Sequence, residues 1–239
     1  MIDAFEFQKP PLAVPNTAKE VSKEILSQLK FLVKQDNRSC LEQNFKDSFD
    51  HILKLFDLYQ KLVVENHSDN KTCYKGCQWC CYHWVEDVNS FEAQIIAQYI
   101  RNTIPHKIEQ IKEQCVSDIE CIQNLDSLVS DKIAEENLGD EFDPTFLLLS
   151  SFYQLKRPCP LLEKDGLCSI YPVRPLTCRV YMSFSDPGRC KPGHINDSDI
   201  PTYILDLEEE ANEIIDSLHF KFQRFEDDTS LRSLLLKHL

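Results

Sequence analysis

Eight of the eleven cysteines in this 239-residue chain fall in two short stretches, and the fold must either bring those stretches together or leave two separate sites. Cys73, Cys77, Cys80 and Cys81 form the first stretch, Cys159, Cys168, Cys178 and Cys190 the second, and only Cys40, Cys115 and Cys121 lie elsewhere. A chain of this length buries on the order of 70% of its unfolded surface, so it needs no metal or disulfide merely to fold. The segment Met1–Pro10 carries two acids and no apolar run of leader length, and nowhere do ~18 apolar residues run together. Neither a secretory leader nor a membrane span is therefore expected, and the expected location is cytoplasmic. Thiols are held reduced there, which makes clustered cysteines metal ligands or catalytic groups rather than disulfides.

The regular part of the chain reads as helix. Leu41, Phe45, Phe49, Ile52, Phe56, Tyr59 and Val63 recur at spacings of 3 and 4, which predicts one helix of about six turns. Val21, Ile25, Leu29 and Leu32 predict another upstream. Asn89, with Glu92 three residues on, resembles a capping box opening a helix through Ile100 that stops near Pro105. A long stripe from Ile108 to Ile133, a short helix over Phe146–Leu155 and a stripe through Ile204, Leu207, Ala211, Ile214, Leu218, Phe222 and Phe225 complete the pattern. No segment shows sustained period-two alternation, so the expected class is mainly α.

Between residues 157 and 201 the pattern fails. Seven of the twelve prolines and three of the five glycines lie there, and proline removes a helix donor while clashing with the preceding turn. An irregular segment of this length inside a compact domain needs another source of order, and four cysteines occupy the same interval. The expected organisation is an N-terminal helical extension over 1–70, a cysteine-cluster domain with inserted helices over 71–200, and a C-terminal helical segment over 201–239. The helices form a scaffold around a cysteine-rich metal-binding module.

Composition closes off several functions. With 26 Lys and Arg against 39 Asp and Glu the net charge is −13, which opposes non-specific binding to nucleic acid or an anionic membrane. The five glycines form neither a G-x-G-x-x-G nor a P-loop motif, so a nucleotide-binding fold is not expected.

The first cysteine group is Cys73-Tyr-Lys-Gly-Cys77-Gln-Trp-Cys80-Cys81. Thiolates two or three residues apart can bend round one ion at a turn, and Gly76 supplies the backbone freedom. Soft sulfur selects zinc, copper(I) or iron over magnesium or calcium. Adjacent Cys80 and Cys81 diverge by about a quarter to half a turn and do not both aim at one small ion, so one of them serves a second site, bridges to a neighbouring centre or stays free. In the second group, Cys159 and Cys168 flank Lys164-Asp165-Gly166, a hairpin-like turn that can bring their sulfurs together. Joining the groups closes a loop of nearly 80 residues, at little entropic cost beyond that of a shorter one. Eight thiols can make two sites of four, or one site with auxiliary cysteines.

These two halves resemble the cysteine-cluster family named for its CxxCxxCC motif, the YkgJ-like proteins. The family's second hallmark, C-x-I-Y-x-x-R-P-x-x-C-R, is met at every hallmark position by Cys168-Ser-Ile-Tyr171-Pro-Val-Arg174-Pro175-Leu-Thr-Cys178-Arg179. The first motif departs from the family, with three residues rather than two between Cys73 and Cys77. The resemblance implies a zinc or iron ion held by Cys73, Cys77, Cys80, Cys81, Cys159, Cys168, Cys178 and Cys190, and for part of the family a [4Fe-4S] cluster. One similar protein is a flagellin lysine methylase, which brings in S-adenosylmethionine-dependent methyl transfer and a protein substrate. Cys73-x3-Cys77-x-Trp79-Cys80 also fits the C-x3-C-x-aromatic-C pattern of radical S-adenosylmethionine enzymes, although their barrel and glycine-rich contacts are not legible here.

Three function classes follow: a metal-binding module, an iron-sulfur enzyme, and a structural metal protein with protein partners. Tyr171, Arg174 and Arg179 stand beside the cysteines, where a guanidinium lowers thiol pKa values and offsets thiolate charge, or receives an anionic group. Trp79, Tyr82 and Trp84 either screen a metal centre or pack the loop. His83 and His194 are minor ligand candidates, while Cys40, Cys115 and Cys121 read as small buried hydrophobes.

Overall fold

The predicted Leu41–Val63 stripe folds from Phe45 onward into α2 (Gln43–Asn66), which lies against α1 (Asn16–Lys34), while Leu41 stands in the turn before it. In this computed structural model, residues 14–66, 76–136, 143–184, 186–194, 202–224 and 229–239 are described. Their remaining helices are α3 (Ser90–Thr103), α4 (Ile108–Glu136), α5 (Pro144–Gln154), the five-residue α6 (Leu176–Val180), α7 (Glu209–Phe222) and α8 (Leu231–His238). The protein is mainly α. None of the described helices is long and apolar enough to cross a membrane.

Two apolar cores organise these elements. The first joins α1, α2 and α7 with Phe91 of α3 and Leu176 of α6. Phe45 centres it, edge-on to Phe91 (6.0 Å) and Phe222 (5.1 Å). Each such buried aromatic contributes roughly 1.5–3 kcal/mol, with about 0.5–1.5 kcal/mol more from each ring pair. The second core joins Ile96 and Ile100 of α3, Ile111 and Cys115 of α4, and Leu231, Leu234 and Leu235 of α8 with Cys159, Leu161 and Ile170 of the irregular segment. Cysteine-bearing chain is thus part of a core. Cys40 and Cys115 are fully buried among hydrophobes, and Cys121 is half-buried on α4.

Helix α3 begins as its sequence predicts. Glu92 Oε2 accepts from Asn89 N–H at 3.1 Å, the returning half of a capping box. Its other oxygen does something the motif does not announce: Oε1 accepts from Leu176 N–H at 2.7 Å, so the same buried carboxylate caps α6. Burial raises the Glu92 pKa, against the pull of its hydrogen bonds and of Arg179.

Three features depart from the pattern reading. Ile204 and Leu207 precede α7, because Ile204 pairs with Tyr181 in a short antiparallel ladder of β1 (Tyr181–Ser183) and β2 (Thr202–Ile204). Three residues are too few for alternation to register. Helix α6 interrupts the irregular segment, starting directly after Pro175, which stands as its N-cap with extended backbone. Helix α8 carries no stripe, because Leu231, Arg232, Ser233, Leu234 and Leu235 are all buried. Phe225 lies outside the described residues.

Candidate metal centre

The second cysteine group is shaped by the turn its sequence announces. Gly166 N–H donates to Glu163 O (2.9 Å), Glu163 N–H to Leu167 O (2.8 Å) and Ser169 N–H to Leu161 O (2.9 Å), with Leu162 bridged to Cys168. This hairpin returns the chain so that Cys159 and Cys168 share one end. Gly166 sits at φ +82° and Gly76, at the start of the first group, at φ +95°. The two turns touch there: a Cβ on Gly166 would lie 3.3 Å from Gly76 O. Glycine at 166 therefore answers both a left-handed backbone and a close approach between loops.

A main-chain bond joins the groups. Cys159 N–H donates to Cys81 O at 2.6 Å, and Cys81 itself stands on a 3-10 turn, Trp79–Tyr82, with its N–H donating to Gln78 O at 2.9 Å. The sulfurs follow the backbone. The Cys81 thiol hydrogen-bonds the Cys80 sulfur, which lowers the Cys80 pKa and raises that of Cys81. Cys159 and Cys168 stand close enough to Cys81 to make its ionisation harder still. Cys178, one turn into α6, is pushed well above the ordinary thiol value by burial and by the neighbouring Cys159, Cys80 and Cys168. Burial pushes Cys168 up to about 11, with Cys159 adding to it. Cys77 stands near Cys80, and Cys190, Cys80 and Cys77 all stand near the Tyr153 hydroxyl.

Seven of the eight predicted cysteines thus gather in one region, contributed by both groups; Cys73 lies outside the described residues. The ten described cysteines are thiols rather than disulfides. Among the described residues no three His, Cys, Asp or Glu side chains already form a closed ligand set, so these sulfurs are neighbours rather than a finished coordination shell.

Two arginines supply the opposing charge. The Arg174 guanidinium eases ionisation of Cys80, Cys168 and Cys178, lies 4.4 Å over the Tyr171 ring, and leaves its buried Nε without a hydrogen-bond partner. Arg232 of α8 does the same for Cys159. Arg179 is turned elsewhere. It is 1% exposed and donates to Asp57 Oδ1 (2.6 Å), Pro172 O (2.8 Å) and Arg174 O (3.0 Å), fastening the Tyr171–Arg174 backbone to α2. Tyr171 is half exposed and gives its ring to Arg174 and its carbonyl to Arg179 at 3.4 Å.

Three ring pairs involve the residues around Cys80 and Cys81. Trp79 stacks on Tyr82 (5.9 Å), His83 on Tyr153 (3.8 Å, interplanar 6°), and Trp84 meets Phe152 edge-on (5.2 Å). The Tyr153 hydroxyl reaches the carbonyls of both Trp79 and Cys190, tying the last cysteine to the first group. Burial pulls His83 down to about 4, leaving a neutral ring engaged in stacking. The side chain of His194 lies outside the described set.

Sequence reasoning missed Asp57, Asp118, Tyr153 and Arg232. For Asp118 a signal existed: with Ile111, Cys115 and Ile122 it continues the apolar stripe of α4, and an acid on such a face needs a buried partner. Arg232 inside Leu-Arg-Ser-Leu-Leu-Leu offered a similar one. Asp57 gave none, since it adjoins the stripe of α2 where an ordinary surface acid would sit.

A cleft of about 580 Å³ opens beside α6, lined by Leu176, Thr177, Val180 and Tyr181 among others and by no cysteine. Of the described cysteines in the two groups, Cys159 is buried, Cys80 is exposed and the others are half-buried, so the sulfurs lie near the surface but outside this cleft. A family model described as "CxxCxxCC: Putative zinc- or iron-chelating domain" matches residues 72–200, spanning both cysteine groups. No curated protein and no solved structure matches the chain.

Proposed function

Since the chain belongs to the CxxCxxCC family of zinc- or iron-chelating domains, we propose that its two cysteine groups act together as one metal centre. The observation that carries this is the Cys159 N–H to Cys81 O bond, with the Cys81 sulfur beside Cys80, Cys159 and Cys168, and Cys178 beside Cys80, Cys159 and Cys168. Four of these five thiolates would suffice for a zinc or iron ion. Cys77 and Cys190, with Cys80 between the two sides, extend the donor set beyond four, as a second ion or a [4Fe-4S] cluster with auxiliary thiols requires.

The donor set fits such a metal on chemical grounds. Soft, crowded sulfur favours zinc or iron over hard cations. Several thiols gathered in partly desolvated surroundings resist ionisation, and a divalent ion is the charge that makes them thiolates together. When bound, the metal supplies cross-linking of a segment whose prolines preclude a helical scaffold of its own. The chain's own residues supply the rest: Arg174 and Arg232 balance anionic sulfur, and Arg179 holds the Tyr171–Arg174 backbone.

Anaerobic purification followed by metal and acid-labile sulfide analysis tests the proposal. Zinc or iron bound stoichiometrically supports it, and sulfide together with iron supports the cluster form. Protein free of both, and unable to take up either, would refute it. Binding of S-adenosylmethionine to the loaded protein is the corresponding test of the methyl-transfer reading, and no binding at millimolar ligand counts against that activity.

A further inference from the structure

We infer that Arg232, on the C-terminal helix and 32 residues beyond the family-matched segment, is a positioning residue for the metal centre. The inference rests on the metal-binding reading above. Arg232 is fully buried, and its Nε donates to Asp118 Oδ2 of α4 at 2.7 Å. The other two nitrogens of its fork point to backbone on either side of the thiols: Nη1 to His83 O at 3.5 Å and Nη2 to Pro158 O at 3.4 Å. His83 lies two residues past Cys81, and Pro158 immediately precedes Cys159. The same two segments are joined by the Cys159 to Cys81 bond.

The surroundings fix the fork. Its guanidinium lies over the rings of Trp84 (4.9 Å) and Phe152 (5.2 Å). Asp118 uses its second oxygen to accept from Arg157 Nε at 2.6 Å, holding the residue before Pro158 as well. Pro158 O also accepts from Gln114 Nε2 of α4 at 2.7 Å. The entrance to α8 is stitched to the chain leaving the first cysteine group, with Leu231 N–H on Val85 O (2.9 Å) and Val88 N–H on Thr229 O (3.0 Å). The buried Arg232–Asp118 pair therefore joins these main-chain ties in holding the two loops that the centre needs in register.

A charge in a core is a poor device for stability alone, because desolvation offsets most of the attraction and apolar side chains of the same volume do as well. A planar fork with fixed donor directions is a good device for geometry. Residues that orient the ligand-bearing chain commonly change metal affinity roughly 10- to 100-fold when removed.

The test is a cobalt(II) titration of the full-length, metal-free protein, reading affinity by chelator competition and the thiolate-to-cobalt and ligand-field bands by absorption. Arg232→Lys keeps the ion pair with Asp118 but cannot span both carbonyls. It is expected to fold, to bind cobalt(II) at least about 10-fold more weakly than the parent, and to shift the ligand-field bands. Arg232→Met should do both more strongly. Phe45→Leu, in the other core, should lower the melting temperature while leaving affinity and spectrum unchanged. Parent-like affinity and bands in Arg232→Lys would overturn the inference, as would an equal loss of affinity in Phe45→Leu. A parent protein that takes up no cobalt(II), zinc or iron would instead remove the metal reading on which the inference stands.

Discussion

At the scale of single residues, the centre depends on a few side chains whose burial or backbone leaves no slack. Gly166 is one. Alanine there would meet both a left-handed φ of +82° and Gly76 O at 3.3 Å, so Gly166→Ala should cost about 1–2 kcal/mol and weaken metal binding by parting the two turns. Urea unfolding and chelator competition on one preparation read both effects. Arg179 is another: Arg179→Met strips the Pro172, Tyr171 and Arg174 carbonyls of a shared donor and leaves Asp57 to Arg174 alone. Unfolding should be easier by about 2–4 kcal/mol, from lost charged hydrogen bonds and newly unsatisfied carbonyls.

Glu92 gives the pH dependence. Its pKa is raised in the fold by burial, so the folded state favours the protonated acid. Stability from this group is full below the unfolded carboxyl value of about 4.3 and is lost as pH rises through the folded value. Glu92→Gln cannot titrate. The stability of Glu92→Gln relative to the parent should therefore rise with pH across that window and then level off, which urea melts from pH 4 to 8 would follow.

At the scale of elements, helices with one buried stripe were legible, α3 was legible from its capping box although buried on most sides, and α8, buried without such a signal, was not. Phe45, Phe49, Ile52, Phe56, Tyr59 and Val63 line one face of α2, so spacing alone placed it. Leu231 to Leu235 of α8 are all buried, so no single face marks the helix, and Arg232 among leucines signals a buried charge without naming its partner. Ile204 continued the phase of α7 by chance, while its backbone pairs with β1. The same division holds in the site. The Lys164-Asp165-Gly166 turn and the proximity of Cys159 to Cys168 are local and were readable. The meeting of Cys81 with Cys159 is a long-range contact, and its supports, Asp118, Arg232 and Tyr153, come from helices whose sequences carry no metal motif. Asp118→Ala leaves Arg232 buried without a carboxylate and should destabilise the protein by about 3–5 kcal/mol, measured by denaturant unfolding.

At the scale of the whole molecule, two helical cores flank a cysteine module and contribute to it. Asp57 of α2 reaches in through Arg179, and Arg232 of α8 reaches in beside Asp118, both from outside residues 72–200. The central claim is that Cys81 and Cys178, from groups nearly 100 residues apart, serve the same centre. Metal content per chain, measured by mass spectrometry on anaerobically purified parent, Cys81→Ser and Cys178→Ser proteins, tests this directly. Each single substitution is expected to remove most of the bound metal. Full parental metal in either variant, with loss in the other, would contradict it.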